Sequence, residues 1–109
     1  MDDLDQVLET LDAIAEHLKR NDLPKINGSA LSQLSFLTAQ ISGFDYYISE
    51  KAARIASLGG VFYSETAHRQ HPGGAEALWV EMSYDLPNRI RQQVSHLQRL
   101  DAQRAANAE

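Results

Sequence analysis

The sequence predicts an all-α fold, either a three-helix antiparallel bundle or a long helical hairpin with an N-terminal helix laid against it. Three observations carry this expectation. Apolar residues recur at spacings of three and four along most of the chain, strand-like alternation of useful length is missing, and Gly- or Pro-bearing breaks cut the chain into three long segments. The helices are expected at 3–20, 29–58 and 75–105, in one domain spanning 1–109 with a flexible tail at 106–109. A chain of 109 residues without cysteine must rely on such a core, because no disulfide framework is available to it.

The first helix reads from its apolar stripe of Leu4, Val7, Leu11, Ile14 and Leu18. Asp3 and Gln6 resemble a capping box. Acids crowd its first turn and Lys19-Arg20 its last, as the helix dipole favours. Asn21-Asp22-Leu23-Pro24 then stops it.

Ser29 offers an N-cap for the second helix. Leu34, Leu37, Ile41, Phe44, Ile48 and Ile55 supply its core stripe, and Leu58-Gly59-Gly60 ends it. Residues 61–74 read as a loop with room for one helical turn around 65–70. Across the third helix, Trp79, Met82, Leu86, Ile90, Leu97 and Leu100 hold one phase. Pro87 removes a hydrogen bond there and crowds the preceding turn. The unbroken phase favours one helix kinked at Pro87 over two helices meeting at it.

The second helix is the unusual one. Between Ile26 and Ser49 its only formal charge is Asp45. Away from the core stripe it presents Ser35, Ala39, Ser42, Tyr46, Ser49 and Ala53, with Phe36, Gln40, Gly43 and Tyr47 on a neighbouring line. A surface helix ordinarily sets charges opposite its apolar face. Small residues also let a second backbone approach closely, and an interior glycine costs stability unless packing compensates. The expected contact surface, with a second copy of this chain in a dimer or higher oligomer or with another protein, comprises Phe36, Ala39, Ser42, Gly43, Tyr46, Tyr47 and Ala53. Asp45, on the flank, would need Arg54, an arginine of the third helix or another donor if shielded from water.

Charge is unevenly distributed in this chain of net charge −5. Asp5, Glu9, Asp12 and Glu16 form an acidic ridge on the first helix. Arg89, Gln92, His96, Arg99 and Gln103 form a basic and amide ridge on the third. Solvated outer faces account for both in the simplest way. The sharper reading has Arg89, His96 and Arg99 meeting phosphates or an acidic partner, which makes nucleic-acid or nucleotide binding the alternative function. So few cations make a thin footprint for a polyanion.

No catalytic residue, cofactor or metal site is expected. Glu65, His68 and His71 carry an E-x-x-H spacing, but they lie between Gly59-Gly60 and Pro72-Gly73-Gly74 and fit a solvated loop better than a buried metal helix. His17 reads as a surface residue. The acidic N-terminus does not resemble a secretory signal, and no run is apolar enough to span a bilayer, so the expected place is the cytoplasm, without a membrane partner.

The phrase Leu31-Ser32-Gln33-Leu34-Ser35-Phe36-Leu37 opens the uncharged helix, and Val94-Ser95-His96-Leu97-Gln98-Arg99-Leu100 closes an Arg/Gln-rich final one after a glycine break. This layout resembles small helical accessory proteins of bacteriophages, over about the last two-thirds of the chain. The resemblance implies a non-enzymatic binder in a bacterial or infected host cell. Its forms would be an inhibitor of bacterial defence or an accessory factor of replication or recombination.

Overall fold

The computed structural model describes residues 3–64 and 73–107. Among them it is all-α: α1 (Asp3–Arg20), α2 (Gly28–Gln40), α3 (Tyr46–Phe62) and α4 (Gly74–Val80), then a π turn (Glu81–Asp85) and α5 (Leu86–Asn107). The backbone stays helical at Val80, Glu81 and Leu86, so α4, the π turn and α5 run on as one rod. At about 1.5 Å per residue this rod alone is ~50 Å long, which accounts for most of the 57 Å long axis of the molecule. The four rods pack in cyclic order α1, α2, α3, α5 and back to α1. Each is antiparallel to its neighbours, as in an up-down-up-down bundle.

A fourth rod arises because the expected second helix is broken in its middle. Gly43 stands at φ +101, a left-handed conformation that a Cβ disfavours. Asp45 then caps α3, accepting from the Ile48 N–H at 3.1 Å. Ser42 and Ser49 close the corner: Ser42 Oγ donates to the Thr38 carbonyl at 3.2 Å, and the Gly43 N–H donates to Ser49 Oγ at 2.8 Å. Phe44, expected in the core, instead lies at this corner, partly exposed.

Other boundaries shift for local reasons. Asn27, not Ser29, caps α2, accepting from the Ala30 N–H at 3.1 Å. Asp3 is already helical, inside the first turn of α1. Gly59-Gly60 does not end α3, which continues to Phe62. Gly59 is buried there against Leu34, whose Cδ2 fills the space a Cβ would take. α5 runs through Asn107, with residues 101–107 exposed.

The core draws on every helix. Val7, Leu11, Ile14 and Leu18 of α1 meet Leu34 and Ile41 of α2, Ile48, Ile55 and Phe62 of α3, and Leu78, Met82, Ile90 and Val94 of the rod. Along the rod Leu78, Met82 and Ile90 are fully buried and Val94 nearly so, while Trp79 and Leu97 pack at the margin and Leu100 is half-buried. Leu78, Met82, Leu86, Ile90 and Val94 are each four apart. On a straight α-helix such a stripe would drift by about 160° over that length. The π turn inserts one extra residue and recovers most of that drift. It also sits directly before Pro87, where a regular α-turn would bring the ring against a carbonyl. The single-helix expectation at Pro87 is therefore met by a widened turn.

Candidate interaction surfaces

The break at Gly43 folds the uncharged segment back on itself, so that its small residues come to lie side by side on two antiparallel helices. On α2, Ser32, Ser35 and Ala39 are exposed, and Ser42 is exposed at the corner. On α3, Tyr46, Ala53 and Ser57 are exposed, with Ser49, Ala56 and Gly60 half-exposed. At 100° per residue these positions lie on the side of α2 away from α1 and the side of α3 away from α5. α2 carries no formal charge at all. The charges of α3, Glu50, Lys51 and Arg54, line the edge of that helix toward the π turn and α5. The result is a face two helices wide that is uncharged on α2 and carries Glu50 at its α3 margin, one turn from Tyr46 and Ala53. Phe36 (58 % exposed) stands on the outermost line of α2 and Tyr46 (83 % exposed) at the start of α3.

The expected contact residues are thus partly regrouped. Ala39, Ser42, Tyr46 and Ala53 share this face, and Phe36 borders it. Gly43 is a turn residue, not a packing site. Tyr47 departs to the other side of α3, where it is half-buried and lies under the Lys51 ammonium, 5.0 Å from the ring centroid. Among the described residues Asp45 pairs with no arginine. Besides capping α3 it accepts a hydrogen bond from Gln93 Nε2 at 3.3 Å, tying the corner to α5.

Tyr47 forms part of a second surface, a groove between α3 and the π turn with the start of α5. One part, about 480 Å³, is lined by Tyr47, Tyr84, Asp85, Asn88, Arg89 and Gln92. The adjoining part, about 280 Å³, is lined by Glu50, Lys51, Arg54, Glu81, Leu86 and Arg89. Arg54 Nε meets Glu81 Oε2 at 3.0 Å, and Lys51 Nζ meets Glu50 Oε1 at 3.4 Å. Arg89 makes no ion pair among the described residues. His96 and Arg99 continue the exposed ridge down α5, about 10 and 15 Å along the axis from Arg89. Tyr84, 65 % exposed, was not distinguished by the sequence pattern, because nothing there signals the π turn that sets it beside Tyr47.

The acidic ridge is also outward: Asp5, Glu9, Asp12 and Glu16 are exposed. Two members make ion pairs, Glu16 with Arg20 and Asp12 with Arg91, each at 3.4 Å. Such exposed pairs contribute little to stability.

His17 is not a simple surface residue. Half-buried, its Nε2 donates to the Ala30 carbonyl at 2.8 Å, joining α1 to the first turn of α2. Asn21 Nδ2 donates to the His17 carbonyl at 2.9 Å and Asn27 Nδ2 to Asn21 Oδ1 at 3.3 Å. From α3, the Tyr63 hydroxyl donates to the Asn21 carbonyl at 2.7 Å, and the Asn27 N–H returns to the Tyr63 carbonyl at 3.2 Å. Burial, and secondarily the nearby Asp22 carboxylate, pushes the Tyr63 hydroxyl up to about 12. His17, Asn21, Asn27 and Tyr63 all have partners within the chain, so the network locks the α1–α2 connection onto the end of α3.

Glu65, His68 and His71 lie outside the described residues. Among the described residues no group of three or more His, Cys, Asp or Glu side chains is placed to hold a metal ion, and no helix is long and apolar enough to cross a membrane. No protein-family model, characterised protein or solved structure matches this chain.

Proposed function

We propose that this protein is a non-enzymatic interaction module that self-associates across the α2/α3 face and offers its remaining surface to a second protein. The observation that supports this most directly is the scarcity of charge on a face two helices wide, with none on α2 and Glu50 at the α3 margin, in a chain of net charge −5. Two copies approaching through their acidic α1 ridges would repel one another. Two copies approaching through Ser35, Ala39, Ser42, Ala53 and Ser57 bring few like charges together, Glu50 at the margin being the nearest. Small side chains there allow helix axes to close to the usual 8–10 Å packing distance. Phe36 and Tyr46 would supply the aromatic anchors that dominate such contacts. A bacteriophage-type inhibitor or accessory factor is the concrete form, and it rests on the layout of residues 31–37 and 94–100.

Light scattering behind size-exclusion chromatography tests the self-association. A particle of twice the chain mass is expected at high concentration, dissociating on dilution. Ala39→Glu and Ala53→Glu, both at exposed positions, should give monomers with unchanged helicity. A wild-type monomer across the whole concentration range would sink the reading.

Nucleic-acid binding through Arg89, His96 and Arg99 has weaker support. All three are exposed on one ridge, but Glu50, Glu81 and Asp85 line the groove at its upper end. A polyanion would meet those carboxylates as well as the arginine.

A further inference from the structure

We propose that the groove between α3 and the π turn docks an acidic segment of a partner protein, with Arg89 gripping a carboxylate between Tyr47 and Tyr84. This deepens the interaction-module reading by naming what the partner brings, and it concerns a different face from the one assigned to self-association.

Opposite charges in the groove balance in number. Three cations and three carboxylates line the groove: Lys51, Arg54 and Arg89 with Glu50, Glu81 and Asp85. Two cations are engaged within the chain, Arg54 by Glu81 and Lys51 by Glu50 and the Tyr47 ring. Arg89 alone has no ion-pair partner among the described residues, although Asp85 stands one helical turn away. Its guanidinium is a planar fork whose paired N–H donors match a carboxylate.

The surroundings of Arg89 fit the same kind of guest. Asn88 and Gln92 bring amide groups to the same part of the groove, and Tyr47 and Tyr84 line it with ring surface. Lys51 over the Tyr47 ring holds that side chain in place. A carboxylate carried next to an aromatic or apolar side chain would satisfy both features. A continuous row of phosphates would not, because Asp85, Glu50 and Glu81 would oppose it along the groove.

The test uses the full chain in a ¹⁵N-labelled form and a capped Glu-Tyr-Glu peptide titrated to millimolar concentration. A capped Lys-Tyr-Lys peptide and a single-stranded thymidine oligomer serve as comparison probes. Amide shifts confined to residues around Tyr47, Tyr84, Asn88 and Arg89 are expected with the acidic peptide, weakening as salt rises. Arg89→Gln should reduce the affinity about tenfold, the order expected for losing a hydrogen bond to a charged group. Asp85→Asn should raise it severalfold, an outcome that damage to the fold would not produce. The proposal is overturned by equal response to the lysine peptide, by tighter binding of the thymidine oligomer, by an unaltered Arg89→Gln, or by no shifts in the groove. Ala39→Glu and Ala53→Glu should leave this titration unchanged, so failure here and failure of self-association are read separately.

Discussion

Gly59 of α3 lies directly beneath Leu34 of α2, with Leu34 Cδ2 in the volume that a Cβ on residue 59 would need. Leu34 is fully buried, so its side chain has nowhere to retreat without disturbing the core. The neighbouring Gly60 has nothing within 4 Å of its own Cβ position. Two adjacent helical glycines are therefore expected to respond oppositely to the same substitution. Gly60→Ala should stabilise the protein by roughly 0.5–1 kcal/mol through helix propensity. Gly59→Ala should destabilise it, overpacking costing about 1–3 kcal/mol before that propensity gain. Urea unfolding of the two variants compares them directly.

The corner between α2 and α3 yields a second expectation. Gly43 holds a positive φ, and Asp45 supplies the cap that starts α3. Gly43→Ala should cost on the order of 1–2 kcal/mol from the left-handed backbone. Asp45→Ala should cost about 1 kcal/mol for the cap alone, with a further loss from the freed Gln93 amide. If the segment were a single long helix, Gly43→Ala would stabilise it instead. Thermal unfolding distinguishes the two signs.

That corner also shows where the sequence could be read and where it could not. The extent and core face of α1 were legible, because stripe, terminal charges and stop all agree, and all five of its stripe residues are buried. In the middle segment the continuous uncharged pattern overlies a local break signal. Ser42-Gly43-Phe44-Asp45 contains both a glycine stop and an aspartate start, the usual pair between two helices. The small-residue face remained recognisable because each half keeps its own 3.6-residue period. The break changes which neighbour each half meets, which is why Tyr47 moves away to the groove. His17 could not be placed from its flanking residues, since its partner Ala30 arrives only when α2 folds back.

Tyr63 links folding to pH in the alkaline range. Its hydroxyl, 3 % exposed as a residue and donating to the Asn21 carbonyl, titrates at about 12, against 10.0 for the free group. The folded chain thus keeps a proton that the unfolded chain releases between those values. Its contribution to stability is complete below pH 10 and is lost as the pH rises toward 12. Denaturant midpoints measured across this window should fall for the wild type. Tyr63→Phe should flatten that component, remove a phenolate transition near 12 from the absorbance titration, and cost about 1 kcal/mol at neutral pH for the lost hydrogen bond.

The π turn has two separable causes, and each makes a prediction. Leu78, Met82, Leu86, Ile90 and Val94 need an extra residue in the turn to stay on the core side of the rod, and Pro87 excludes a regular α-turn before it. Removing the exposed Tyr84 would restore an ordinary α-helical spacing between Met82 and the residues after it. With Pro87 in place, that deletion forces the ring against a carbonyl and should cost about 3 kcal/mol. With Pro87→Ala as well, most of the cost should vanish, because the shortened rod then presents the same side chains through a regular helix. A deletion at Ala53, also exposed but within the regular α3, has no such escape. It turns every later core residue of that helix by about 100° and should abolish cooperative folding. Calorimetric unfolding of the three deletion variants decides whether the wide turn answers to the stripe, to the proline, or to both.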